Sequence, residues 1–163
     1  MNYFFMNFRW AKREDVGLIL QFIKELAEYE NLLNEVVATK ELLEEQIFDK
    51  ENAKVIFVME GEKEVGFALF FFNFSTFLGK AGLYLEDLYI KPEYRGKGYG
   101  KSIFVFLANY AMENDIERID WWCLDWNKKA NDFYLNLGAK RMEEWTVQRL
   151  TKNAIKDLAK LEE

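Results

Sequence analysis

The 163-residue sequence has no histidine, one cysteine and one proline. Without histidine there can be no His-dependent nucleophilic triad, and the commonest metal ligand is missing, so no metal site is expected. Acid–base chemistry is left to Asp, Glu, Tyr, Lys or Cys. The lone thiol, Cys123, cannot close an intrachain disulfide. It lies in the apolar run W-W-C-L with no histidine to activate it, and reads as buried and inert. No apolar run approaches the ~18 residues of a membrane span. The longest, VGFALFFFNF at 65–74, is interrupted by Gly66 and Asn73 and reads as a buried strand. The start, MNYFFMNF, is aromatic but carries no basic leader and no small-residue cleavage site, so it is not read as a signal peptide. A cytoplasmic location is the default expectation. Basic excess is also absent: 22 Lys and Arg face 28 Asp and Glu, for a net charge of −6, and the pI is near 5.0. Nucleic-acid binding is disfavoured, because phosphate contacts need a basic face. An acidic surface attracts a cationic ligand, although moderate acidity also serves simply to keep a chain in solution.

Core material is plentiful. Half of the chain is hydrophobic, 17% is aromatic, and the 31% that is charged supplies a surface. The length fits one domain, here 1–163, at the usual ~100–200 residues each. No linker, repeat or low-complexity run divides it. FRWA reads as a short strand. Between Asp15 and Tyr29 apolar residues recur at Val16, Ile19, Leu20, Ile23, Leu26 and Ala27, which makes one helix face with Asp15 as its N-cap. A second short helix begins near Thr39, with Leu42, Leu43 and Ile47 on its apolar side. AKVIFVME and EVGFALFFFNF form a hairpin around the polar turn Gly61–Glu64. AGLYLEDLYIKP is a third long strand and stops at Pro92, which cannot donate to a ladder. Ile103, Phe104, Leu107, Ala108 and Ala111 mark a helix. ERIDWWCL is a strand. Ala130, Phe133, Tyr134 and Leu137 mark another helix, closed by Gly138. AKRMEEWTVQRL gives one or two strand pieces, and TKNAIKDLAKLEE is amphipathic. The order β-α-α-β-β-β-α-β-α-β is α/β with consecutive central strands, which argues against a simple alternating doubly wound sheet.

Between the third strand and its helix stands Y-R-G-K-G-Y-G-K-S, Tyr94 to Ser102. A P-loop would need glycine at position 95, where Arg95 stands, and Gly96, Gly98 and Gly100 run G-x-G-x-G rather than the dinucleotide G-x-G-x-x-G. Both nucleotide patterns miss by one residue. The physical content remains. Glycines let the backbone approach a ligand and converge its N–H groups. The following helix adds its positive end, and Arg95, Lys97 and Lys101 add charge.

The pattern that fits is [RQ]-x-x-G-x-[GA], spelled Arg95-Gly96-Lys97-Gly98-Tyr99-Gly100. It resembles the acyl-CoA pyrophosphate loop of the GNAT superfamily of N-acetyltransferases. That resemblance implies an α/β fold with a mixed, mostly antiparallel central sheet, splayed open and flanked by helices. It also implies acetyl-CoA as cosubstrate, its pantetheine arm pairing with the strand before the loop. IKELAEYE (23–30), VGFALFFFNFSTFLGKAGLYLEDLYI (65–90), DWN (125–127) and NDFYLNLGA (131–139) resemble more closely the spermidine/spermine (diamine) acetyltransferases. The likeness runs from Phe8 to Leu150 and implies direct attack of a neutral amine on the thioester, in a homodimer.

The chemistry that follows is demanding. An alkyl amine has a lysine-like pKa near ~10.4, so the enzyme must take its proton, hold it in line, meet an oxyanion and protonate a thiolate. The resemblance makes Glu86 the group that binds the amine and accepts its proton, directly or through water; alone it would read as an exposed strand charge. Asp87 is adjacent, and alternation lets only one of the two face a cleft unless a bulge intervenes. Tyr134 matches the acid that protonates the CoA sulfur, and a phenol with a pKa near ~10 stays a donor at neutral pH. Backbone N–H groups of Leu88, Tyr89 or Ile90 are expected at the oxyanion. The loop from Arg95 to Lys101, with Asn127, Ala130 and Phe133, is expected along the cosubstrate, and Asn127 also suits a helix cap. For the cationic acceptor the resemblance implies Tyr29, Glu30, Glu86, Asp87, Asp125, Trp126 and Glu144, with Glu143 as the rival to Glu144. Around EEWTVQRL the family pattern is followed loosely. Members of the family also acetylate thialysine and other small amines, so acetyl transfer is better supported than any one acceptor. The alternatives are an acetyltransferase for amino-acid or protein amines and a non-catalytic CoA-binding module.

Overall fold

The computed structural model describes residues 7–161, so most of the aromatic start on which the absence of a leader was read lies outside the described residues. The chain forms two compact units, one ending at Trp122 and one beginning at Cys123.

The first unit is built on a five-stranded sheet in the order β1-β2-β3-β4-β5. The strands are β1 (Asn7–Trp10), β2 (Lys54–Glu60), β3 (Lys63–Ser75), β4 (Lys80–Ile90) and β5 (Ile119–Trp121). The first four run antiparallel and β5 joins β4 in parallel. Helix α1 (Val16–Tyr29) and the short α2 (Lys40–Leu43) connect β1 to β2, and α3 (Tyr99–Glu113) connects β4 to β5. This is the mixed, mostly antiparallel α/β sheet that the sequence predicted.

Strand alternation divides the core in two. Ile56, Val58, Ala68, Phe70, Leu83, Leu85 and Ile90 pack with Tyr99, Ile103, Leu107 and Ala111 of α3. On the other face Val55, Phe57, Phe67 and Tyr89 pack with Ile19 and Phe22 of α1. Phe22 is fully buried and fills that layer; the apolar stripe read from the sequence did not include it.

Several local expectations are corrected. Asp15 makes no capping bond to α1. Its carboxylate accepts instead from the Lys12 N–H at 2.7 Å and from Arg9 at 2.7 and 2.9 Å, because the guanidinium is the stronger partner. Thr39 does cap α2, accepting from the Leu42 N–H at 3.2 Å, and the helix runs on as a π-helical segment, Glu44–Asp49. VGFALFFFNF is buried only in its first half: Phe72 and Phe74 emerge, 44% and 62% exposed, with the Phe72 ring stacked on Tyr110 of α3 at a centroid distance of 6.3 Å. Residues 139–150 form no strand. They bury almost no side-chain surface and have no ladder partner to hold them extended.

In the second unit α4 (Lys128–Asn136) is followed by α5 (Lys152–Ala159). Gly138 closes α4 at φ +92° as predicted. Its N–H reaches Leu135 O at 3.0 Å, and the Ala139 N–H reaches Tyr134 O at 3.1 Å, the paired bonds of a Schellman ending. Cys123 is half-buried rather than buried, its sulfur 3.7 Å from the Leu124 carbonyl.

At Gly66 β3 lies tight against β4. A Cβ there would stand 2.4 Å from Tyr89 O and 2.5 Å from Ile90 Cδ1. Gly66→Ala should therefore destabilise the protein by about 2–3 kcal/mol, read as a lowered denaturation midpoint. An unchanged midpoint would contradict this packing.

Candidate active site

The site begins with a break in register. Asp87 of β4 stands opposite Leu69, but Leu85 stands opposite Phe70, so Glu86 is an extra residue in β4. Such a bulge reverses the phase of the strand. Before it, Leu83 and Leu85 face the α3 layer; after it, Leu88 and Ile90 do. Glu86 and Asp87 therefore both leave the strand toward the α1 face. The bulge that the sequence reading left open is present, and it places two consecutive carboxylates on one side.

Their surroundings differ. Glu86 is exposed and Asp87 is half-buried. Burial pushes the Asp87 carboxyl up to about 7, and repulsion from Glu86 and then Glu30 adds to the shift. Glu30 caps the C-terminal end of α1, and burial raises its carboxyl as well. Tyr29, one residue earlier, is 42% exposed. The end of α1 and the bulge thus gather three acids, Glu30, Glu86 and Asp87. With no histidine in the chain, this trio supplies negative charge able to bind a cation, and Asp87 is the member able to exchange a proton near neutral pH.

The sheet opens at the same place. β5 pairs with β4 only from Leu83 to Leu85. Beyond that point no β5 residue is paired with β4. The Leu83 N–H points to β5 (2.9 Å to Arg118 O), and the Lys91 N–H points to β3 (2.9 Å to Val65 O). Alternation, with the bulge counted, puts the N–H groups of Leu88 and Ile90 on the open edge and that of Tyr89 on the β3 side. The Tyr89 side chain is a core residue, 4% exposed, with its hydroxyl donating to Glu25 at 2.7 Å. Glu25 carried no signal in the sequence.

The glycine loop follows. Pro92 opens a 3-10 turn, Pro92–Tyr94, directly after β4. Gly96 and Gly98 adopt φ of +77° and +90°, the left-handed region that favours glycine. Nothing lies within 4 Å of a Cβ built on Gly96, so the backbone is open to a ligand there. The first intrahelical bond of α3 runs from the Ser102 N–H to Gly98 O at 3.0 Å, so the N–H groups of Tyr99, Gly100 and Lys101 precede the ladder. This cradle fits a pyrophosphate. The cationic side chains are partly committed elsewhere. Arg95 donates to Ile90 O at 2.8 Å and lies 4.8 Å over Tyr29 and 5.6 Å over Tyr89. Lys97 lies 4.9 Å over Tyr94 and 3.6 Å from Glu60. Lys101 is exposed.

In the second unit Asn127 caps α4, its side chain accepting from the Ala130 N–H at 3.2 Å. Asn131 ties the segment before the helix by donating to Leu124 O at 3.1 Å and Asn127 O at 3.0 Å. Phe133 and Tyr134 are half-buried, with ring centroids 5.4 Å apart. Asp125 and Trp126 are exposed just before the cap. Glu143 and Glu144 occupy an exposed turn, bridged by the Trp145 N–H to Met142 O at 3.1 Å. Among the described residues no cluster of Cys, Asp and Glu has the makings of a metal site, and no helix is long and apolar enough to cross a membrane.

Comparison with known proteins identifies the family. The Acetyltransferase (GNAT) family model matches residues 20–139. The chain is 38% identical to a thialysine N-epsilon-acetyltransferase of Bos taurus over 95% of its own length and 98% of the relative's. It is 29% identical to the human spermidine/spermine N(1)-acetyltransferase-like protein 1, over 98% of this chain and 24% of that one. An integron cassette protein from the mobile metagenome of V. cholerae has the same fold, with a TM-score of 0.79 and 26% identity over 95% of this chain and 98% of the other. The chain belongs to the GNAT family. It is an acetyltransferase, and the family's fold serves enzymes that use acetyl-CoA.

The Asp87 environment gives a signed expectation. Its folded pKa of about 7 exceeds its ordinary 3.8, so the folded state holds the proton more tightly. The Asp87 contribution to wild-type stability should fall as the pH rises from about 4 to about 7 and then level off. Asp87→Asn removes that fall. Its stability relative to wild type should be about 2 kcal/mol greater at pH 8 than at pH 4, after discounting for partial exposure. Equal differences at the two pH values would contradict the assigned environment.

Proposed function

We propose that this chain transfers an acetyl group from acetyl-CoA directly to a primary amine of a small cationic diamine or polyamine. The observation that carries the reading is the convergence of Glu30, Glu86 and Asp87 at the bulge. Three acids within electrostatic reach of one another suit an acceptor with more than one ammonium group. Tyr29 offers an aromatic face to the same cation, and Asp125, Trp126 and Glu144 are proposed to extend the acceptor site.

In this mechanism Glu86 binds the ammonium and takes its proton, directly or through water. Asp87 holds a second exchangeable proton beside it. The N–H groups of Leu88 and Ile90 on the open edge stabilise the oxygen that gains charge during attack. The N–H groups at the start of α3, with Lys97 and Lys101, hold the pyrophosphate. Tyr134 donates the proton that the departing sulfur needs, while Asn127, Ala130 and Phe133 line the pantetheine side. Residues 1–163 are read as a single acetyltransferase domain, the family resemblance supports a homodimer, and a cytoplasmic location is the default reading. Acetyl-CoA supplies the thioester and the free energy of its cleavage.

A second reading has specific support. The bovine relative is named for thialysine, which supports a lysine-like amino acid as acceptor in place of the diamine, with no change in mechanism. The acidic trio supports the first reading, because an amino-acid acceptor brings a carboxylate that the trio repels.

The test is thiol release from acetyl-CoA with spermidine, spermine, putrescine, thialysine, lysine and a lysine peptide. Turnover concentrated on free polyamines supports the first reading; turnover on thialysine and lysine alone supports the second. No turnover with any of them, with acetyl-CoA still bound, would overturn both. Tyr134→Phe should lower kcat by about 100-fold with little change in acetyl-CoA affinity, and normal turnover would remove its role as acid. Glu86→Gln should raise KM most for acceptors with two or more charges; an equal loss on every acceptor would restrict it to the role of base.

A further inference from the structure

The glycine run 96–100 has too few side chains to hold itself in place, so its geometry depends on the residues between the glycines. Arg95 fixes its start on the Ile90 carbonyl. Its end is fixed by a residue 39 positions earlier. Tyr99 is the first residue of α3, and its ring is only 7% exposed. The Tyr99 hydroxyl donates to Glu60 Oε1 at 2.6 Å, and Lys97 Nζ lies 3.6 Å from the same oxygen. Burial, reinforced by the glutamate, pushes the Tyr99 phenol up to about 12, so it stays a donor at neutral pH. Glu60 is the last residue of β2 and pairs with Lys63 across the hairpin, so the anchor belongs to the sheet and not to a free loop.

A carboxylate beside an anion-binding loop repels the anion unless it does something else. We propose that Glu60 is a positioning residue for the phosphate loop: shared between Tyr99 and Lys97, it locks the first turn of α3 so that its free N–H groups converge on a pyrophosphate. The inference rests on the reading of this loop as the acetyl-CoA site and adds a residue that touches no substrate. It explains why a tyrosine stands inside the glycine run, since its ring joins the core and its hydroxyl makes the tie.

The test is calorimetric titration with CoA of the wild type, Glu60→Gln, Glu60→Ala, Tyr99→Phe and the Glu60→Ala/Tyr99→Phe double variant. Glu60→Ala and Tyr99→Phe should each weaken CoA by about 5- to 10-fold. The double variant should be no weaker than the weaker single one, because both remove the same tie. Glu60→Gln, whose amide oxygen still accepts from Tyr99, should stay within about 2-fold of wild type. The loss should appear in KM for acetyl-CoA rather than in kcat or in KM for the amine. Tyr99→Phe keeps the buried ring, so a result remains if Glu60→Ala folds poorly. Wild-type affinity in both single variants, additive losses in the double variant, or tighter binding by Glu60→Gln would overturn the proposal. Wild-type protein that fails to bind CoA would overturn the reading of the loop, and the proposal with it.

Discussion

At Glu86 strand β4 gains one residue over β3, and most of the site follows from that insertion. The bulge turns two adjacent acids toward one face. It shifts the apolar phase so that Leu88 and Ile90 continue the α3 layer that Leu83 and Leu85 began. It also marks the point beyond which β4 and β5 are no longer paired. One local change in the backbone therefore produces a carboxylate pair, an open hydrogen-bonding edge and a continuous core. Without the bulge, alternation would turn Leu88 and Ile90 away from the α3 layer and split the two acids between opposite faces.

Charge is organised around that point in two zones. The α1 side of the bulge gathers Glu30, Glu86 and Asp87, and burial holds Asp87 near neutrality. The glycine loop at the end of β4 presents backbone donors instead, with Arg95 turned onto Tyr29 and Tyr89 and Lys97 tied to Glu60. The bulge side is thus acidic by side chain, and the loop side is positive mainly by backbone. This division suits a reaction between a cation and a polyanion. It explains how an acidic chain, net −6, can serve a phosphate-bearing cosubstrate.

Much of this was legible in the sequence. The helices were set by periodicity, the stop after β4 by Pro92, the end of α4 by Gly138, and the loop by its glycine spacing. The bulge was legible in principle, since in LYLEDLYI the apolar positions switch from Leu83 and Leu85 to Leu88 and Ile90. Other features depend on contacts distant in the chain. Asp15 was claimed by Arg9 rather than by its own helix. Glu60 and Glu25 are ordinary acids until Tyr99 and Tyr89 fold against them. Residues 139–150 have a strand-like composition but join no ladder, and a strand exists only through its ladder.

The claim that the rest depends on is that the β4 edge beyond the bulge is the acyl-donor surface. Residue-resolved amide exchange, with and without acetyl-CoA, tests it directly. The account predicts that acetyl-CoA slows exchange at Leu88 and Ile90, which face the open edge, and leaves Tyr89, already turned toward β3, unchanged. Protection confined to other parts of the chain, with Leu88 and Ile90 exchanging as before, would contradict it.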